Sequence, residues 1–116
     1  PDVVHEDNVH RLNTRLVVQG ANIPFTYGAE RILHERGVLN IPDFIANAGG
    51  VICAAMEYQQ ASQTAALQAI EEKLRGNTAQ VLDEARKLGV PPRDAAVALA
   101  TERVKRAMSY RRWSLF

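Results

Sequence analysis

The chain has 116 residues, 47% of them apolar, and a net charge of +1 at neutral pH. That length allows one packed domain, and the near-even charge balance gives no general argument for a nucleic-acid or membrane partner. The single cysteine, Cys53, excludes an internal disulfide and fits a reducing compartment, so a cytoplasmic location is expected.

No apolar run approaches the roughly 20 residues that a membrane helix needs. The sequence opens on Pro1 rather than Met and shows no signal peptide, and it reads as a piece of something longer.

Residues 5–14, HEDNVHRLNT, carry apolar residues only at Val9 and Leu12 and read as a short surface helix ending near Asn13. RLVVQG, residues 15–20, is a short β-branched run closed by Gly20. It has the length of a buried strand, and its lack of alternation suits a parallel strand covered on both faces. GAERILHER, residues 28–36, places Ala29, Ile32 and Leu33 on one helical face, and Gly37 supplies a left-handed stop. VLNI, residues 38–41, is a second short strand, ended by Pro42 because proline cannot donate to a ladder. Strand, helix and strand in this span make a βαβ unit. Asp43, after that proline, is expected to cap a short helix rather than orient the loop.

Beyond Gly50 the pattern becomes helical. Residues 51–61 are helix formers, apolar in their first half. Residues 64–88 place Leu67, Ile70, Leu74, Val81, Ala85 and Leu88 at spacings of three, four and seven, with Gly76 and Asn77 as weak points. Gly89 and the pair Pro91–Pro92 end that helix. A last helix over about 93–109, opened by Asp94 or Pro92, offers Ala95, Ala96, Ala98 and Ala100 for close helix–helix approach. The organisation expected is one partial domain over 1–116, with a βαβ portion at 1–50 and a helical portion at 51–116. Two interior-type strands leave edges open, so further strands are expected from elsewhere in a longer protein or from another chain.

Asn22 follows the first strand and Asn47 follows the second by a short turn. In parallel strands both fall at the carboxyl end, where ligands of open α/β sheets collect. Each amide has donors and an acceptor, and Gly49 and Gly50 let a ligand approach the backbone closely. Together they form a neutral wall suited to a carboxamide and a ribose rather than a phosphate. The other reading makes both asparagines turn residues and the glycines a tight corner.

VVQGANIPFT, then GVLNIPDFIANAGGV, then MEYQQ, with a terminal AMSYRRW, resembles the C-terminal segment of the glutamate/leucine/phenylalanine/valine dehydrogenases, across essentially the whole chain. The resemblance implies an α/β fold: a partial Rossmann-like dinucleotide-binding domain of two parallel strands followed by C-terminal helices. It implies NAD- or NADP-dependent oxidative deamination of an L-amino acid to a 2-oxo acid, glutamate foremost. By the same resemblance Asn22 contacts the nicotinamide ribose, Asn47 lies by the nicotinamide and the substrate, and Gly49 and Gly50 line the floor. Val51 meets the substrate side chain, and Ala54 stands where glutamate-specific members usually carry a serine for the distal carboxylate. The other departures are Gln19 for a frequent acid, Ile23 for a small residue and Phe25 for a threonine. A separate substrate domain and a homo-oligomeric parent are also implied.

No G-x-G-x-x-G occurs, so no pyrophosphate loop is expected here. Lys73, Lys87 and Lys105 read as helix-surface residues, and none is taken as catalytic; the isolated chain is expected to be inactive. His5, His10 and His34 lack metal-ligand spacing, so no metal site is expected. Cys53 reads as a small core residue, and YRRW, residues 110–113, as a tail packing on a neighbouring domain or subunit. The alternative function is a non-catalytic helical interaction module using the apolar faces of residues 64–88 and 93–109. The two readings separate on whether Asn22 and Asn47 share one cleft.

Overall fold

A computed structural model of the chain describes residues 1–111. A single 3-10 turn, Val9–Arg11, precedes strand β1 (Leu16–Val18), helix α1 (Tyr27–Glu35), strand β2 (Leu39–Ile41) and the short helix α2 (Asp43–Ala46). Three further helices follow: α3 (Gly49–Tyr58), α4 (Gln63–Leu88) and α5 (Pro92–Arg111). None of the described helices is long and apolar enough to cross a membrane.

β1 and β2 pair in parallel, with Leu16 opposite Leu39, Val17 opposite Asn40 and Val18 opposite Ile41. The helix between them starts where the Thr26 hydroxyl accepts the Ala29 N–H at 3.1 Å. It stops at Gly37, whose φ of +75° suits a residue without a Cβ. Val9, Ala29, Leu33 and Val38 form the core of this half, with Val4, Leu12, Val17, Phe25 and Ile32 packed around them. The N-terminal segment closes over the loop after β1: the Asp2 and Val4 N–H groups donate to the Ile23 and Pro24 carbonyls at 2.7 and 2.9 Å. The architecture is helix-rich α/β, a partial Rossmann-like βαβ unit followed by helices.

Several expectations need correction. The N-terminal segment is not a surface helix but one tight turn, and it delivers Val9 to the core at 1% exposure. β1 is not covered on both faces. Val17 meets the core, but successive side chains alternate, so Leu16 and Val18 face the other way and are more than half exposed.

α4 runs unbroken through Gly76 and Asn77. It is capped by Ser62, whose hydroxyl accepts the Ala65 N–H at 3.2 Å. Gly89, at φ +65°, ends it in the left-handed conformation. Pro92 then opens α5 at the first helical position, where its missing N–H has no helical partner to lose.

The buried line of α4 runs through Ala66, Val81 and Ala85, with Ile70 and Leu74 half-buried. Leu67 and Leu88, expected on that line, are exposed. The seam against α3 and α5 starts at Ala66, and Leu67 stands about 100° round the helix from it. In α5 the approach uses Ala95 and Ala96, which are buried, whereas Ala98 and Ala100 are exposed. Residues 101–111 are exposed throughout. Tyr110 and Arg111 of the expected tail belong to that stretch, and the rest of the tail, Arg112 and Trp113, lies outside the described residues.

α3 lays Gly49, Ile52, Cys53 and Met56 toward α4, a spacing of three, four and seven that makes one helical face. Cys53 is therefore half-buried in a helix seam rather than enclosed in the core.

Candidate functional site

Parallel pairing brings the ends of β1 and α2 to one rim of the sheet. There the Asn47 side-chain amide donates to the Asn22 Oδ1 at 2.7 Å and more distantly to the Ala21 carbonyl at 3.4 Å. The two asparagines thus converge at one end of the strands, meeting across 25 residues of sequence. The bond uses one acceptor of Asn22 and one donor of Asn47, and it turns the remaining Asn22 N–H groups and the Asn47 Oδ1 to other partners. Asn22 is exposed and Asn47 half-buried.

α3 begins two residues beyond Asn47. Its first backbone bond runs from the Ile52 N–H to the Ala48 carbonyl at 3.1 Å, so the earlier N–H groups of that turn are free of intrahelical partners. A Cβ on Gly50 would meet nothing within 4 Å, and one on Gly49 would sit 3.5 Å from Ile70. Neither glycine is demanded by the packing of the chain on itself. Val51, at 77% exposure, and Ala54 stand open on the same helix. No side chain of α3 hydrogen-bonds to the amide pair; what joins them is the short connection through Ala48.

Behind the rim lies a polar cluster that the sequence pattern did not reveal. Arg93, in the first turn of α5, donates from Nε to Glu30 Oε2 at 2.6 Å and from Nη2 to Asp43 Oδ1 at 2.9 Å. The same Nη2 lies 3.2 Å from Gln19 Oε1. The Gln19 amide donates to Glu30 Oε1 at 2.8 Å and to Asn40 Oδ1 at 2.9 Å. The guanidinium carbon sits 5.6 Å from the Phe44 ring centroid, within cation–π range. Gln19, Glu30, Asn40 and Asp43 are all buried. One signal was present in the sequence: Glu30 shares a helical face with Leu33, three residues on, so a carboxylate lay on the buried side of α1.

Asp43 does not cap α2 by the usual bond to a residue two or three positions on. Its Oδ2 instead accepts the Ile23 N–H at 2.7 Å, and its Oδ1 takes the adjacent Phe44 N–H at 2.9 Å. It orients the loop, the reading set aside from sequence alone. Its position at the very start of α2 explains this: the carboxylate points back toward β1 rather than along the helix.

Burial pushes the Asp43 carboxyl up, but the Ile23 N–H, the Arg93 guanidinium and the Phe44 N–H outweigh it and hold it below 3.8. Burial pulls Arg93 down, and its bonds to Glu30 and Asp43 more than reverse this. A carboxyl depressed on folding stabilises the fold fully above its unfolded value of 3.8, and that stability is lost as pH falls through the lower folded value. The urea midpoint is therefore expected to hold steady down to about pH 5 and to fall below about pH 4. Asp43→Asn should make that acid limb shallower; an unchanged limb in the variant would remove Asp43 from the acid response.

Among the described residues no group of three or more His, Cys, Asp or Glu could hold a metal ion. Lys73 and Lys105 are exposed, and so is Lys87, which pairs with Asp83 at 2.8 Å. All three stand on the helices α4 and α5.

The chain is similar to the NADP(+)-dependent glutamate dehydrogenase of Pyrobaculum calidifontis, at 44% identity over 97% of this chain and 28% of that protein. It is also similar to the NAD-specific glutamate dehydrogenase of Staphylococcus aureus, at 36% identity over 96% of this chain and 28% of that protein. The crystal structure of L-tryptophan dehydrogenase from Nostoc punctiforme shares the fold with a TM-score of 0.79, at 23% identity, over 90% of this chain and 32% of that one. The chain thus spans about 28% of the length of the curated relatives it matches. A family model for the glutamate/leucine/phenylalanine/valine dehydrogenases matches residues 1–112, and with near-complete coverage by the relatives this fixes the lineage: the chain belongs to that family.

Proposed function

We propose that this chain forms the nicotinamide-side wall of the cleft in an NAD- or NADP-dependent L-amino-acid dehydrogenase, and that its parent protein deaminates L-glutamate to a 2-oxo acid. The observation that carries the reading is the 2.7 Å bond between the Asn47 and Asn22 amides at the rim of the parallel strands. A non-catalytic helical module gives no reason for two turn residues to be joined there.

The residues present fit a nicotinamide nucleoside. Asn22 retains N–H donors and Asn47 an acceptor, both uncharged, which matches a ribose hydroxyl and a carboxamide and offers nothing strong to a phosphate. Gly50 leaves open space for close approach. When bound, the nicotinamide supplies the two-electron acceptor for oxidation at the amino-acid α-carbon. In this reading Asn22 holds the ribose, and Asn47 orients the carboxamide and the substrate. Gly49 and Gly50 form the floor, and Val51 and Ala54 border the substrate side chain. The catalytic acid–base groups and the pyrophosphate loop belong to other parts of the parent, so the 116-residue chain alone turns over nothing.

Relatives named as glutamate dehydrogenases support glutamate as the substrate, while Ala54, which cannot donate a hydrogen bond to a distal carboxylate, argues for a wider range. One relative is named for NADP and another for NAD, which leaves both nucleotides in the proposal. Val97, Val104 and Met108 share one exposed face of α5 and support an interface for this helix with the missing substrate domain or a second subunit of a homo-oligomer.

The test uses the full-length parent, assayed with a panel of L-amino acids and both nucleotides by the absorbance of the reduced nucleotide. L-Glutamate should be turned over. Asn22→Ala and Asn47→Ala should each weaken nucleotide binding about tenfold, the worth of one good hydrogen bond. Failure to oxidise any amino acid with either nucleotide would end the proposal.

A further inference from the structure

We infer that Asp43 is the positioning residue of the nucleotide loop, and that Arg93, at the start of α5, holds Asp43 in that role. The inference rests on the reading that Asn22 and Asn47 meet the nucleotide, and it adds how the chain keeps them in place.

Ile23, next to Asn22, has a φ of +50°. A β-branched residue in the left-handed region is disfavoured and persists only where its surroundings fix it. Two bonds do so. The Ile23 carbonyl accepts from the Asp2 N–H at 2.7 Å, and the Ile23 N–H donates to Asp43 Oδ2 at 2.7 Å. Asp43 also reaches the other half of the amide pair, since its backbone carbonyl accepts the Asn47 N–H at 2.7 Å. One residue therefore pins the peptide unit between Asn22 and Ile23 through its side chain and Asn47 through its main chain.

The Asp43 carboxylate is itself fixed. Its side chain is 10% exposed, and Arg93 Nη2 approaches Oδ1 at 2.9 Å while Arg93 Nε is occupied by Glu30 at 2.6 Å. The planar fork serves the two carboxylates from two fixed nitrogens, whereas a lysine ammonium offers its three donors from a single atom, without that geometry. The Phe44 ring lies within cation–π range of the guanidinium, 5.6 Å from ring centroid to guanidinium carbon. The first turn of α5 is in this way linked to the loop after β1 through two side chains, Arg93 and Asp43.

The test is a double-mutant cycle on the full-length parent, read as the dissociation constant of the reduced nucleotide by its fluorescence, with KM for the amino acid measured alongside. Asp43→Ala should raise the nucleotide constant about tenfold and Arg93→Lys about threefold, with a smaller change in the amino-acid KM. Asp43→Asn can keep an acceptor for the Ile23 N–H only by turning its NH2 toward Arg93 and the Phe44 N–H, so it should recover part of the affinity and fall between Asp43→Ala and the wild type. In an Asn22→Ala background both effects should shrink below about twofold, because the group being positioned is gone. Should Asp43→Ala fail to fold, Arg93→Lys completes the same cycle. Full additivity with Asn22→Ala, or an unchanged nucleotide constant in Asp43→Ala, would overturn the inference and leave the nucleotide site intact. An unchanged constant in Asn22→Ala alone would overturn the underlying site reading, and this inference with it.

Discussion

Arg93→Met should lower the unfolding free energy by about 2 kcal/mol, less than the loss of a fully buried partner because the Arg93 side chain is itself 24% exposed. Methionine keeps much of the volume, so the change isolates charge and hydrogen bonding. In the wild-type protein the guanidinium stands between two carboxylates, Glu30 and Asp43, whose side chains are 6% and 10% exposed. Without it, two buried anions lose their common cation, and Gln19 Oε1 loses a donor. Phe44 also loses its cation. Urea unfolding at neutral pH measures the deficit. The variant carries a second signature: the deficit should narrow in acid, once Asp43 is protonated and no longer needs a counter-charge. A loss below about 1 kcal/mol, or one independent of pH, would show the cluster to be solvated and of little energetic weight.

Gly50→Val should separate binding from folding. Nothing lies within 4 Å of a Cβ at Gly50, and its backbone is not in the left-handed region. Valine is a slightly better helix former than glycine, so stability should change by less than about 0.5 kcal/mol, upward if at all. Nucleotide affinity in the full-length parent should fall about a hundredfold, because a branched side chain would fill the space that the proposed nicotinamide approach requires. Thermal melting and reduced-nucleotide fluorescence on the same samples measure the two halves. An unchanged nucleotide constant would remove Gly50 from the cleft floor.

Much of this architecture could be read from residue order. The apolar run at 16–18 with its two valines, the stop at Gly37 and the second run at 39–41 specify βαβ, because each element is fixed by local chemistry. Parallel strands then place Asn22 and Asn47 at one end without further information, and their direct bond follows from that topology. The Arg93 cluster was not legible in the same way. Its members come from the residue after β1 and from α1, β2, α2 and α5, and Arg93 meets Glu30 across 63 residues. No periodicity encodes such a contact; only a carboxylate on the inner face of α1 hinted that a cation had to arrive. The Leu67 error has another origin. A three-and-four pattern tolerates a one-residue rotation at a helix end, and there the seam took Ala66 in place of Leu67 while keeping Ile70, Leu74 and Val81 further along. Leu16 and Val18 looked like core residues because composition reports what a strand can bury, not what stands opposite it.

Val51 and Ala54 have a bearing on how such a protein can diversify. Both stand clear of the face that α3 gives to α4, which is built from Gly49, Ile52, Cys53 and Met56. Side chains of other size or polarity can appear at 51 and 54 while the helix keeps its seat, so mutations there escape the usual veto of misfolding. With these two positions bordering the substrate, as proposed, a scaffold with that property would explore new amino acids one residue at a time, drawing its raw material from the outer side of a single helix.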